Sequence, residues 1–312
     1  MKYLQSKEIH KMNNATKLRA AVIDICTNLW FENGNELAKT NDPLRFASKK
    51  LRCDRALFNE YTEYLAKCGI NTLILNVGDA IRYETHPELA VEGAWTVNEM
   101  KSEIERLKGL GFEVIPMLDF STAHDEWLGD YSHMISTSPY YKVCADLIRE
   151  VCEIFEPKYM HIGMADESAA YQKEYEYMAV RHNELWWHDI YFLLDRVQGE
   201  GVTAIVYGDR MHGRSEEFIK GMPTTVIISN PYNGHLDPTV LACYDTLAKD
   251  KYRQLPAYVG ASDSHDLALF TEYVNKTIPD EKLLGYICVA DAICDPSRRD
   301  KIFAAADSTK GI

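Results

Sequence analysis

Eight apolar, β-branched runs recur along this chain, at residues 20–26, 72–77, 114–118, 159–163, 203–207, 225–229, 256–260 and 284–289. Runs that are continuous in apolarity rather than alternating read as strands covered on both faces, the habit of parallel sheets. Between them lie amphipathic stretches long enough for helices, at 55–67, 97–110, 139–155, 183–198, 239–249 and 265–275. Gly69, Gly111 and Gly201 each fall between a helical stretch and the next strand, where a helix C-terminus takes glycine. Eight βα units in 312 residues predict an α/β protein with the (β/α)8 barrel architecture. An open doubly wound sheet is the alternative, and the lack of a G-x-G-x-x-G turn argues against it. One domain suffices at this length: a polar N-terminal segment over 1–18, then the barrel over 19–312.

Composition matters chiefly for what it excludes. A net charge of −13 argues against a nucleic-acid partner, whose footprint is basic, and fits a neutral or cationic small substrate. No apolar run approaches the roughly 20 residues of a membrane span, and the N-terminus lacks the apolar core of a signal peptide. The sequence therefore predicts a cytoplasmic chain without a membrane partner. The eight cysteines form no C-x-x-C pair, so buried reduced thiols are expected, and no metal or cofactor site is predicted.

In a barrel the chemistry gathers where strands end and βα loops begin. Those positions carry Asp24 with Asn28 and Trp30, Asp79 with Arg82 and Tyr83, Asp119 with His124, and His161 with Asp166 and Glu167. Later come Asp209 with Arg210 and His212, Asn230 with Tyr232, Ser262 with Asp263 and His265, and finally Asp291. Helix N-capping accounts for some of the acids, but poorly for the accompanying aromatic and basic residues. Trp30, Tyr83, Trp127, Tyr207 and Tyr232 occupy loop positions from which a ring could stack on a sugar face, although packing explains any one of them equally well. Trp186-Trp187-His188 lies inside a helical pattern and reads as packing, and the basic stretch 49–52 reads as a solvated turn.

Three ordered segments resemble the glycoside hydrolase family 20 superfamily of β-hexosaminidase-like barrels. Tyr83-Glu-Thr-His-Pro-Glu-Leu89, followed by Gly93-Ala-Trp-Thr96, resembles that family's passage from the second strand to the second helix. Gly111-Phe-Glu-Val-Ile-Pro116 with Asp119 and His124 is similar to its motif G-x-x-V-I-P-E-x-D-x-P-G-H. Tyr159-Met-His-Ile-Gly163 through Asp166 and Glu167 is similar to its H-x-G-G-D-E signature. The likeness covers roughly residues 70–170. There are departures: Met117 replaces a glutamate, and Ser121-Thr-Ala-His124 replaces P-G-H with one residue more. The arginine expected near the first strand is not obvious in Asp24-Ile-Cys-Thr-Asn28, and no tryptophan ends the eighth. Ungapped, the signature puts Ala165 on the family's aspartate and Asp166 on its acid glutamate; with one inserted residue, Asp166 and Glu167 keep those roles.

Glycoside cleavage needs a protonated carboxyl for the leaving oxygen and a second group for the oxocarbenium-like centre. Asp166 and Glu167 are the expected catalytic pair, with Glu167 the acid and Asp166 its stabilising partner. The resemblance implies that such an aspartate orients the substrate's own acetamido oxygen as nucleophile. Asp119, His124, His161, Trp127, Tyr83, Asp209, Tyr232 and Asp263 are the expected substrate-binding residues. The chain therefore reads as a glycosidase acting on a terminal sugar. A metal-dependent sugar isomerase, epimerase or aldolase is a second reading, and a sugar-binding relic without activity a third.

Overall fold

The computed structural model describes residues 16–232, 238–259 and 264–310, with Asp291 described in its backbone alone. Eight parallel staves form around one axis: β1 (Leu18–Asp24), β2 (Thr72–Asn76), β3 (Glu113–Met117), β4 (Tyr159–His161), β5 (Thr203–Tyr207), β6 (Ile227–Ser229 and Pro231–Tyr232), β7 (Arg253–Gln254 and Ala257–Tyr258) and β8 (Gly285–Ile293). Neighbours pair in sequence order, and β8 pairs with β1, so the barrel closes. Closure pairs every described stave of the barrel on both sides.

Two staves are interrupted. β6 breaks at Asn230, and β7 breaks at Leu255 and Pro256, whose ring nitrogen cannot join a ladder. Backbone bonds from Leu255 to Ile228 at 2.9 Å and from Ala257 to Asn230 at 3.1 Å carry the pairing across both breaks.

Successive strand residues face opposite ways, so every stave divides between two cores. Ala20, Val22, Ile74, Ile115, Met117, Ile205, Ile227 and Ile287 fill the barrel interior. The alternate residues, among them Ala21, Leu73, Val114 and Val206, pack outward against the helices.

The outer ring is α1 (Arg55–Lys67), α2 (Val97–Gly109), α3 (Ser138–Phe155), α4 (Glu184–Gly199), α5 (Ser215–Gly221), α6 (Pro238–Lys249), α7 (Ser264–Thr277) and α8 (Arg299–Ser308). The longer ones show an apolar stripe at helical spacing. α3 buries Tyr140, Val143, Cys144, Leu147, Ile148 and Val151. Asp54 caps α1, and Thr96 with Glu99 forms a reciprocal capping box on α2. Gly69, Gly111 and Gly201 take positive φ, as their places after α1, α2 and α4 require. α5 and α8 are the two helices that sequence periodicity does not mark; α5 has only 7 residues, too few to show a stripe. Trp186 and Trp187 pack inside α4 as expected, and all eight cysteines are buried and unbridged. Among the described residues, no helix is long and apolar enough to cross a membrane.

Candidate active site

Strand alternation places the site. On β1, β2, β3 and β5 the inward positions run apolar up to Val22, Ile74, Met117 and Ile205; two residues further along the same face stand Asp24, Asn76, Asp119 and Tyr207. Together with Trp30, His124, His161, Ala165 and Asp209 they line a cavity of about 250 Å³ over a floor that includes Val22, Met117 and Ile287. This is the C-terminal mouth of the barrel.

Asp119 is 2% exposed, and its Oδ1 accepts the Ser121 N–H at 2.9 Å and the Ser121 hydroxyl at 2.5 Å. Its Oδ2 meets His124 Nδ1 at 3.1 Å. Burial alone would push this carboxyl up, but the His124 bond and charge, with the Ser121 bonds, hold it below the ordinary carboxylate range. Gly163 makes room for it: a Cβ there would stand 1.9 Å from Asp119 Oδ1.

Asp209 is shifted the other way. Burial raises its pKa and the Asp166 charge adds to the rise, against the lowering effect of an N–H bond from Asp166 to Oδ2 at 2.9 Å. Its buried Oδ1 meets no donor. Ala165 N–H donates to Ser121 Oγ at 2.9 Å, so two consecutive amides at the end of β4 bind towards the two carboxylates.

His161 Nδ1 accepts the Gly163 N–H at 3.0 Å, which places the ring proton on Nε2. Burial pushes this imidazole down to about 4, so it is neutral at physiological pH, and its ring meets Tyr207 edge-on at 4.6 Å. Asp24 Oδ1 accepts from Asn76 Nδ2 at 3.0 Å.

Two groups, the buried Asp79 and the half-buried Arg52, shape the loop after β1 that carries Trp30. Asp79 accepts the Thr27 and Asn28 N–H groups at 2.7 and 3.0 Å, and burial pushes it up to about 6. Arg52 bonds the carbonyls of Thr27, Leu44 and Phe46, so the solvated-turn reading of 49–52 fits the exposed Lys49 and Lys50 but not Arg52.

Several expected site residues lie elsewhere. Glu167 turns away from the cavity: its carboxylate is 1% exposed and held by Arg181 through Nε at 3.0 Å, through Nη2, and through the Arg181 N–H at 2.8 Å. Arg181 also bonds Asp189 at 3.2 Å and the Phe120 carbonyl at 2.6 Å, so Glu167 anchors the loop between β4 and α4. Asp166 stands outside the cavity wall, paired with Arg210 at 3.2 Å and Arg214 at 2.8 Å. The expected pairing of Asp166 and Glu167 in one site is therefore corrected.

Tyr83, Trp127 and Tyr232 are also corrected, because each is buried in packing. Tyr83 donates to the Gly78 carbonyl, Trp127 donates to the Asp119 carbonyl, and Tyr232 stacks on Phe270. Asp263 lies outside the described residues. Asp119, His124, His161 and Asp209 do line the cavity.

Sequence reasoning missed Asn76 and Arg181. Asn76 was visible as a polar end to an apolar run; Arg181 carries no local signal, because its partners are 8 to 61 residues away. Among the described residues no three His, Cys, Asp or Glu side chains gather closely enough to hold a metal ion, the arrangement the isomerase reading requires.

No family model matches this chain, and no curated protein does. Solved structures do. A glycoside hydrolase family 20 β-N-acetylglucosaminidase superposes over 95% of this chain and 70% of its own, with a TM-score of 0.62 at 12% identity. The family 20 β-N-acetylhexosaminidase of Streptomyces coelicolor A3(2) covers 94% of this chain and 64% of its own, with a TM-score of 0.64 at 13% identity. The chain has the glycoside hydrolase family 20 fold. A third similar structure, the exo β-N-acetylglucosaminidase of Vibrio harveyi in complex with N-acetylglucosamine, matches over 95% of this chain, with a TM-score of 0.62 at 13% identity. This chain spans only 54% of that protein, against 64% of the Streptomyces enzyme.

The backbone after β4 bears on the register of the signature. Gly163 has φ +67° and Met164 φ +62°, so two consecutive residues are left-handed, as two consecutive glycines allow. That geometry favours the ungapped register, with Ala165 at the aspartate position and Asp166 at the glutamate.

Proposed function

We propose that the barrel mouth binds one terminal sugar unit and hydrolyses its glycosidic bond, with Asp209 as proton donor and Asp119 as the ionised carboxylate. One observation carries this reading: two carboxylates line one cavity, and their surroundings shift them in opposite directions. Such a pair suits the two roles that glycoside cleavage needs. Asp209, whose pKa burial raises, is the donor to the leaving oxygen. Asp119, kept ionised by His124 and Ser121, faces the positive charge that develops on the sugar ring. Trp30 and Tyr207 supply apolar ring surface for the C–H face of a sugar. The fold supports the reading, since similar structures include glycosidases, one of them holding N-acetylglucosamine. A cavity of about 250 Å³ suits one sugar unit at a chain end.

A panel of chromogenic glycosides of both anomers, with and without chelator, tests it. Hydrolysis that ignores the chelator and falls about 10²-fold or more in Asp209→Asn supports the proposal. The relic reading keeps one specific support: Ala165 faces the cavity where an aspartate is expected. Sugar binding without turnover of any glycoside selects it.

A further inference from the structure

Two buried polar atoms in the cavity wall have no hydrogen-bond partner in the protein. Asn76 is 2% exposed, and its Nδ2 donates to Asp24 Oδ1, so the amide is turned with its own oxygen as the acceptor. That Oδ1 meets no donor. His161 is 1% exposed; because its Nδ1 accepts the Gly163 N–H, its proton sits on Nε2, and Nε2 meets no acceptor. Both residues line the cavity. Buried polar groups are nearly always paired and an unpaired one is costly, so an acceptor and a donor left open in one wall mark where a ligand's polar groups belong.

Strand register relates the two. Asn76 pairs with Met117 across β2 and β3, and Met117 pairs with His161 across β3 and β4, so the three stand at one level of the barrel. With about 4.8 Å between neighbouring strands, the acceptor and the donor rise from staves roughly 9–10 Å apart. Between them Met117 faces inward as part of the apolar floor. A pyranose carries the matching pattern, an apolar C–H face edged by hydroxyls, each of which can donate or accept. Charge narrows the class further. The amide is neutral and burial keeps the imidazole neutral, so neither offers a counter-charge to an ammonium or a carboxylate substituent. No lysine or arginine is among the described lining residues to take an anion.

We infer that Asn76 and His161 determine which sugar this cavity accepts: an uncharged hexose unit is read through its hydroxyls, one donating to Asn76 Oδ1 and one accepting from His161 Nε2. The inference rests on the mouth being a sugar site, as proposed above. Ligand-detected NMR titrations of the full chain with D-glucose, D-galactose, D-mannose and N-acetyl-D-glucosamine, then with the monodeoxy analogues of any that binds, test it without turnover. Removal of at least one hydroxyl should weaken binding about fivefold or more. Asn76→Leu, which keeps the shape and loses the acceptor, should bring the cost of one deoxy position within about twofold while the other costs persist. His161→Asn retains an acceptor for the Gly163 N–H but has no donor at the Nε2 position, and it too should level one deoxy cost. His161→Gln, whose amide reaches the Nε2 position, should keep the original pattern. Deoxy costs that stay unchanged in Asn76→Leu and His161→Asn, both folded, overturn the inference and leave the sugar site standing. If neither variant folds, the unsubstituted protein decides: monodeoxy analogues that all bind within about twofold of the full sugar overturn the inference as well. Binding of none of the four sugars overturns both readings.

Discussion

Glu167→Gln separates a structural from a chemical role for the most conspicuous acid in the sequence. The side chain sits in a dry cluster with Arg181 and Asp189, each at most 1% exposed. Asp189 is itself satisfied by Ser136 at 2.7 Å and Tyr141 at 2.5 Å. The three charges sum to −1, so neutralising Glu167 leaves Arg181 balanced by Asp189. What is lost is hydrogen bonding. A glutamine oxygen can replace one carboxylate oxygen, but its NH2 then faces Arg181 donors. One charge-assisted bond forfeited amounts to about 2–3 kcal/mol. Arg181→Met is the harsher change, because two buried carboxylates and the Phe120 carbonyl lose their partner, at about 3–5 kcal/mol. At about 2 °C per kcal/mol in a chain of this size, the melting temperature should fall by roughly 4–6 °C and 6–10 °C respectively. Calorimetric melts should be read beside turnover normalised to folded protein. Turnover in Glu167→Gln should stay within about threefold of the parent. If the variant melts with the parent and loses about 10²-fold or more in rate, Glu167 is the proton donor and the ion-pair argument fails.

Three further outcomes follow from the site. The pH profile of kcat/KM should be bell-shaped, falling as pH drops through the lowered pKa of Asp119 and as it rises through the raised pKa of Asp209; Asp209→Asn should abolish the alkaline limb, and a limb that persists in the variant assigns it to another group. Gly163→Ala places a Cβ 1.9 Å from Asp119 Oδ1 at a φ of +67°, so sugar affinity and turnover should both collapse, whereas Gly111→Ala, with open space around it, should cost stability alone. His161 is neutral when folded, with a pKa near 4, so the unfolded chain takes its proton first as pH falls below about 6.5; roughly 3 kcal/mol of stability should be lost between pH 6.5 and 4, and denaturant titrations of His161→Gln should lack that step.

The barrel was legible because its signals are local and repeated. Each stave is marked by an apolar run five to seven residues long, and each of the longer helices carries its stripe within its own sequence, so eight weak signals reinforce one another. The eighth closing pair, β8 on β1, joins Leu18 to Gly285 across nearly the whole chain, yet it needs no signal of its own once the count is eight. α5 and α8 escaped notice for the opposite reason: short helices at the rim and at the chain end carry too few turns to show a period.

The site was legible only where strand geometry persists. Asp119 and Asp209 follow regular strands, and their positions near the mouth could be read by counting. After His161 counting fails, because β4 stops there and two left-handed residues, Gly163 and Met164, redirect the chain. A non-glycine in that conformation is rare, and nothing in the sequence marks Met164 as one. Once the turn is made, Ala165 faces the cavity, Asp166 points to Arg210 and Arg214, and Glu167 reaches Arg181 in a loop 14 residues later. Two adjacent acids that look like one catalytic pair are thus parted by a backbone turn. Their outward pairing leaves the cavity to carboxylates from β1, β3 and the loop after β5, three separate elements whose convergence only closure of the barrel brings about.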